Sequence, residues 1–235
     1  MKWFITFSAG GENYSEAGNR LLNQSNKVEL FDKTTLYTDD FLKSHIDFWS
    51  QHSNFIENNR RGYGYWLWKP YIIKKTMKQM EDGDILLYLD CGCEIDVRKK
   101  REISEYFDYV KSEHIIYTST GCSEAHYNKM DLVLKLDMLN HMENDVNQHQ
   151  AAAGAILIYV CDKTRNIVDE WYNFGCDYHN IDDTPSVNPN FGGFIEHRHD
   201  QSIFSLLIKK NNIHHRASLF NCITYERNKT GNSKL

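Results

Sequence analysis

The run Asp84-Ile85-Leu86-Leu87-Tyr88-Leu89-Asp90-Cys91-Gly92-Cys93-Glu94-Ile95 constrains this chain more than any other segment. Its first six residues, mostly apolar, read as a buried strand. The strand stops abruptly in an acid, a glycine between two small residues, and a second acid. A carboxylate at the C-terminal end of a buried strand sits where open α/β sheets place their ligands. A hard oxygen ligand there suits Mg²⁺ or Mn²⁺ holding a substrate diphosphate. Gly92 would let backbone come close to that substrate. A second reading stands beside this one: a strand ending in a tight turn, with Asp90 making a turn hydrogen bond.

Other segments alternate around this strand. Residues 2–7 read as a first strand and 8–11 as a glycine loop. A helix follows over 15–24, with Ala17, Leu21 and Leu22 on one face, then a short strand at 28–31. Helices are predicted over 40–59, over 70–80 with Pro70 in the first turn, over 98–111 and over 128–142. A strand is expected at 114–118, and another at 155–160 after the small residues of 150–154. Helices close the pattern at 164–178 and 201–210, the last with Asp200 as a plausible N-cap. Strands alternating with helices imply one α/β domain over 1–225: a mostly parallel central sheet, flanked by helices, with ligand loops at one edge. Residues 226–235 read as a polar C-terminal tail that frays.

The 235 residues, 41% hydrophobic and 25% charged, suit a globular chain with a sizeable core. A net charge of −5 without a long basic run disfavours a nucleic-acid partner. No apolar run reaches the roughly 18 residues of a membrane span, which leaves only peripheral membrane contact open. None of the six cysteines forms a CxxC pair, which argues against a zinc ribbon or a thioredoxin-type motif. They read as reduced thiols, and a first segment cut off by Gly10-Gly11 lacks the apolar stretch of a signal peptide. A cytoplasmic location is the expectation.

Arg60-Arg61-Gly62-Tyr63-Gly64-Tyr65-Trp66-Leu67-Trp68-Lys69-Pro70 is the densest aromatic segment. Two glycines, four aromatics and three basic groups are poor material for a helix interior. They suit a loop that stacks on a base or sugar ring and places cations on phosphate, or an aromatic plug beneath a loop.

Taken with 83–95, 149–154 (HQAAAG) and 196–202 (EHRHDQS), the segment at 61–70 resembles small GT-A-type glycosyltransferases, nucleotide-diphospho-sugar transferases of bacterial and large-DNA-virus surface-glycan synthesis. The resemblance implies a single Rossmann-like GT-A domain. It implies transfer of a sugar from a nucleoside-diphosphate donor, expected to be UDP-linked, to a glycan acceptor hydroxyl with Mn²⁺ or Mg²⁺. The family's DxD motif would fall on Asp90-Cys91-Gly92, where the second acid is missing. Glu94 could replace it, or the metal could be held by Asp90 and phosphates, with His214 or His215 as a C-terminal ligand. The resemblance places the nucleotide and diphosphate at Thr6, Phe7, Ser8, Ala9, Arg61, Lys69, Asp90 and Gly92, with Arg20 as a further phosphate candidate. Donor sugar and acceptor fall to Lys129, Asp131, Gly154, His199 and Gln201. In an inverting reaction Asp200 would take the acceptor proton; in a retaining one it would orient the sugar or acceptor. A non-catalytic nucleotide-sugar or glycan-binding protein on the same fold is the alternative. A hydrolase or nucleotidyltransferase is a third, although GxxxxGK[ST] is absent.

Overall fold

The computed structural model describes residues 1–144, 148–214, 218–225 and 227–235. The first half carries β1 (Lys2–Ser8), α1 (Glu12–Val28), β2 (Lys33–Thr38), α2 (Asp39–Ser44), α3 (Ile46–Asn58), α4 (Gly62–Tyr65), α5 (Trp68–Met77), β3 (Ile85–Leu89) and β4 (Glu94–Ile95). The second carries α6 (Lys100–Glu113), β5 (Ile115–Ser123), α7 (Glu124–Tyr127), α8 (Met130–Lys135), α9 (Leu139–Asn144), β6 (His149–Tyr159), α10 (Asp162–Cys176), α11 (Asp200–Lys210) and β7 (Ile223–Thr224).

Five strands form the main sheet in the order β2-β1-β3-β6-β5. β1 pairs in parallel with β2 and β3, whereas β6 is antiparallel to β3 and to β5. The sheet is therefore mostly parallel, with one reversed strand. β3 is buried along its whole length, as a central strand covered on both faces must be. Its alternation divides the core. Leu86 and Tyr88 join one cluster with Ile72, Trp171 and Phe204 from α5, α10 and α11. Ile85, Leu87 and Leu89 join the other with Leu21 of α1 and Phe107 of α6.

Several boundaries differ from the sequence reading. α1 runs on to Val28, because Ala17, Leu21 and Val28 share its buried face, and Glu29, left-handed at φ 53°, ends it, so no strand forms at 28–31. The second strand lies at Lys33–Thr38, an edge strand with intermediate burial and no apolar run to announce it. The helix expected over 40–59 breaks at His45, whose backbone is extended. That over 128–142 breaks near Asp137, which is left-handed at φ 57°. The small residues of 150–154 are not a loop before β6 but its first half. The reversed strand thereby brings Gly154 beside the end of β3, where the Asp90 amide donates to the Gly154 carbonyl at 2.8 Å. His199, not Asp200, is the N-cap of α11.

The polar C-terminus packs against the segment that follows β3. Asn228 is buried, and Ser233 and Lys234 hydrogen-bond Glu94. Among the described residues, no helix is long and apolar enough to cross a membrane.

Candidate active site

A cleft of about 650 Å³ opens at the edge where β1 and β3 end. Phe7, Ala9 and Gly10 wall it from the first strand and loop, and Asp90, Cys91 and Gly92 from the turn after β3. Gly154 enters from β6, and His199, Asp200 and Gln201 from the start of α11. Six basic side chains line it, Arg60, Arg61, Lys69, Arg198, Arg227 and Lys229, against three acids, Asp90, Glu196 and Asp200. In a chain of net charge −5 this local excess of cations makes the cleft a place for an anion.

The floor is a charged triad. Lys69 Nζ lies 2.9 Å from Asp200 Oδ2 and 3.3 Å from Asp90 Oδ1. Lys69 and Asp200 are almost fully enclosed, at 3% and 5% side-chain exposure, whereas Asp90 is 38% exposed to the cleft. Burial pulls the Lys69 ammonium toward neutrality, but the two carboxylates outweigh it and hold its pKa above the ordinary value. Burial also pushes Asp200 up to about 6, an effect Lys69 only partly offsets. Asp200 Oδ2 has no well-aligned hydrogen-bond donor, so its contact with Lys69 is one of charge. Tyr88, a buried phenol held well above its usual pKa by that burial, donates to Asp90 Oδ1. Asp90 Oδ2 packs beside Gly154, where a Cβ would come within 2.9 Å of it.

The wall formed by residues 60–69 is strained. Tyr63, Tyr65, Trp66 and, packed against them, His199 all have φ between 52° and 61°. A bulky residue held in this region costs on the order of 1 kcal/mol or more, and such strain gathers at functional sites. Packing fixes it in place. Tyr65 stacks on His199 at 4.8 Å with rings 8° from parallel, and Phe7 on Trp68 at 3.9 Å. The Trp68 indole donates to the Gly62 carbonyl at 3.0 Å. Gly64, at φ 85°, leaves room for Ile56, which a Cβ would meet at 2.6 Å. Burial lowers the His199 pKa despite Asp183, whose Oδ1 accepts from Nε2 at 2.9 Å, so the ring is neutral with its proton on that nitrogen.

The cleft unites many of the residues implied by the sequence: Phe7, Ala9, Arg61, Lys69, Asp90, Gly92, Gly154, His199, Asp200 and Gln201 all line it. Others fall elsewhere. Thr6 and Ser8 are buried in the sheet, and their hydroxyls do not line the cleft. Glu94, fully enclosed, turns away from Asp90 and accepts from Asn228, Gln24, Ser233 and the Lys234 amide. With its oxygens so engaged it does not supply the missing second acid. Arg20 directs its guanidinium to four backbone carbonyls rather than to the cleft. Lys129 Nζ bonds the His179 carbonyl and Asp182, each at 2.8 Å. Asp131 accepts from His179 and from the amides of Val187 and Asn188. These two residues pin the loop after α10 and do not contribute to the cleft wall. His214 is exposed and outside the cleft, and His215 lies outside the described residues.

Arg60, Arg198, Arg227 and Lys229 were not among the implied residues. Arg60 and Arg198 adjoin residues the motifs do single out. Arg227 and Lys229 give no local signal, since they belong to the stretch that reads as a loose tail.

The donor set tests the expected metal. Among the described residues no group of three His, Cys, Asp or Glu side chains can hold an ion. The described side chains alone therefore supply no cage. Asp90 still offers one accessible carboxylate, which fits a cation that arrives with phosphate oxygens, the ordinary habit of Mg²⁺.

No protein-family model matches the chain, and no curated protein matches it. Among solved structures it is similar to mouse xyloside xylosyltransferase 1, at TM-score 0.46 and 8% identity over 92% of this chain and 85% of that one. It is similar to the galactosyltransferase LgtC bound to donor and acceptor sugar analogues, at 0.47 and 12% over 87% and 70%. It is also similar to a glycosyltransferase involved in glycosylating the major capsid of PBCV-1, at 0.39 and 8% over 73% and 65%. Each is a loose likeness of chain path, and the functional reading rests on the residues of the cleft.

Proposed function

We propose that this cleft transfers a sugar from a nucleoside-diphosphate donor, with UDP-sugars the first to test, to a hydroxyl of a glycan acceptor. The observation that carries the reading is the triad on its floor: a buried ammonium held between an accessible carboxylate and an enclosed one whose pKa is raised to about 6.

Each part has a chemical task. As the bond from the anomeric carbon to the diphosphate oxygen breaks, negative charge gathers on the leaving group. Fixed cations in a partly enclosed site stabilise that charge. Asp90 would hold Mn²⁺ or Mg²⁺, which when bound neutralises the diphosphate. Tyr63 and Trp66, half-buried in the wall, offer ring faces to a base or a sugar. As the acceptor oxygen bonds to the anomeric carbon, its proton passes to Asp200. A carboxylate with a pKa near 6 is ionised at neutral pH yet more basic than an ordinary one. Lys69 keeps that carboxylate charged in its enclosed position.

Asp200→Asn tests the assignment and separates an enzyme from a glycan-binding protein on the same fold. Turnover should fall about 10²- to 10⁴-fold, the usual range for a lost general base, while donor affinity stays within a few-fold. Unchanged turnover would remove Asp200 from the chemistry.

A further inference from the structure

The last residues of the chain form a strap across the turn that follows β3. Asn228 is 1% exposed. Its amide donates to the Gly92 carbonyl at 2.9 Å, and its side chain donates to Glu94 Oε1 at 2.7 Å. Arg20, from α1, ties strap to turn. One guanidinium nitrogen donates to the carbonyls of Asn228 at 3.0 Å and Thr230 at 2.6 Å. The other donates to those of Cys91 at 3.0 Å and Cys93 at 2.8 Å. Glu94 completes the clamp by accepting from Ser233 and from the Lys234 amide. Arg20 and Glu94 are both buried, at 6% and 0% exposure, and neither lines the cleft. Two charged residues are thus committed to holding a short polar segment at one place. Gly92 permits the close approach, since a Cβ there would come within 3.1 Å of the Arg227 Cα.

The strap brings its alternate residues into the cleft. Arg227 and Lys229 flank the buried Asn228, are themselves exposed, and line the cleft beside the Asp90 turn. Arg227 is held left-handed at φ 49°. Lys229 Nζ sits 4.9 Å from the centre of the Tyr14 ring. Among the described residues, no acid lies within ion-pair distance of either cation, whereas Lys69 and Arg61 each have two and Arg198 has one.

We propose that Arg227 and Lys229 form a wall of the diphosphate subsite, and that Arg20 and Glu94 are positioning residues that hold the strap there. The proposal rests on the reading of the cleft as a nucleoside-diphosphate site and assigns to that site two cations from the end of the chain.

Calorimetry on the full chain tests it with UDP, GDP, ADP, CDP and inorganic pyrophosphate, each nucleotide beside its monophosphate. The wild-type chain should prefer one diphosphate to the matching monophosphate. Arg227→Ala with Lys229→Ala, both exposed, leaves the core intact. It should weaken the diphosphate and pyrophosphate about 10-fold or more, and the monophosphate much less. Glu94→Gln should erode the same diphosphate-to-monophosphate ratio, which a purely structural loss would not single out. A double variant that binds diphosphate as well as wild type overturns the proposal alone. A wild-type chain that binds none of the diphosphates overturns the donor reading and the proposal with it.

Discussion

Lys69→Met isolates the charge at the centre of the floor, because Met keeps much of the side-chain length and removes the ammonium. In the wild type, Asp200 is 5% exposed and folds with its pKa raised to about 6 from an ordinary 3.8. The folded chain then binds that proton more tightly than the unfolded chain. Asp200 therefore lowers stability as pH rises from its ordinary pKa to about 6, by about 3 kcal/mol in all, and adds no further change above that. Without Lys69 the carboxylate loses its counter-charge and its pKa climbs further. Protonation limits the damage: the added cost cannot exceed about 1.4 kcal/mol for each pH unit above the wild-type value. The lost pairing with Asp90, which is 38% exposed, adds at most about 1 kcal/mol because solvent screens it. The variant should lie within about 1 kcal/mol of the wild type at about pH 5.5, where Asp200 is largely protonated in both and only the Asp90 pairing is lost, and its penalty should grow by about 1–3 kcal/mol by about pH 8. Urea unfolding across that range, with equal m-values, reads the difference. A penalty of the same size at every pH would show that Lys69 contributes packing rather than charge, and would refute the reasoning.

Two further outcomes follow from the same geometry. The value of kcat/KM should rise with pH through about 6 as Asp200 loses its proton, and a flat profile from about pH 5 to 7.5 would contradict its role as base. Gly154→Ala should cut transfer about 10-fold or more, because a Cβ within 2.9 Å of Asp90 Oδ2 turns that carboxylate aside. The backbone of Gly154 is not left-handed, so the melting temperature of this variant should move little; wild-type activity would mean that Asp90 does not act through this face. Asp200→Asn with a large rise in donor Kd rather than a fall in kcat would shift Asp200 from proton transfer to binding.

The parts of the site that the sequence disclosed are those with a local physical signature. An apolar strand ending in an acid put Asp90 at the end of β3, where it lines the cleft, and a cluster of glycines and aromatics marked the strained wall at 60–69. Lys69 and Asp200 were each recognisable as candidates. Their union on one floor was not, since it joins residues far apart in sequence. Glu94 shows the converse. Four residues after Asp90 it reads as a second metal ligand, but its role is decided by Asn228, 134 positions away. Lys129 and Asp131 mislead in the same way, because the loop that accepts them comes some fifty residues later. Where a partner is remote, a polar residue near a motif cannot be told from a member of it.

Phosphorus-31 NMR of UDP, GDP, ADP, CDP and dTDP titrated with the full chain, with and without Mg²⁺, tests the central claim most directly. The β-phosphate signal of one of them should shift or broaden with the wild-type chain, and the change should be weaker with Lys69→Met. No response from any diphosphate, with or without the cation, would contradict the reading of this cleft as a donor site.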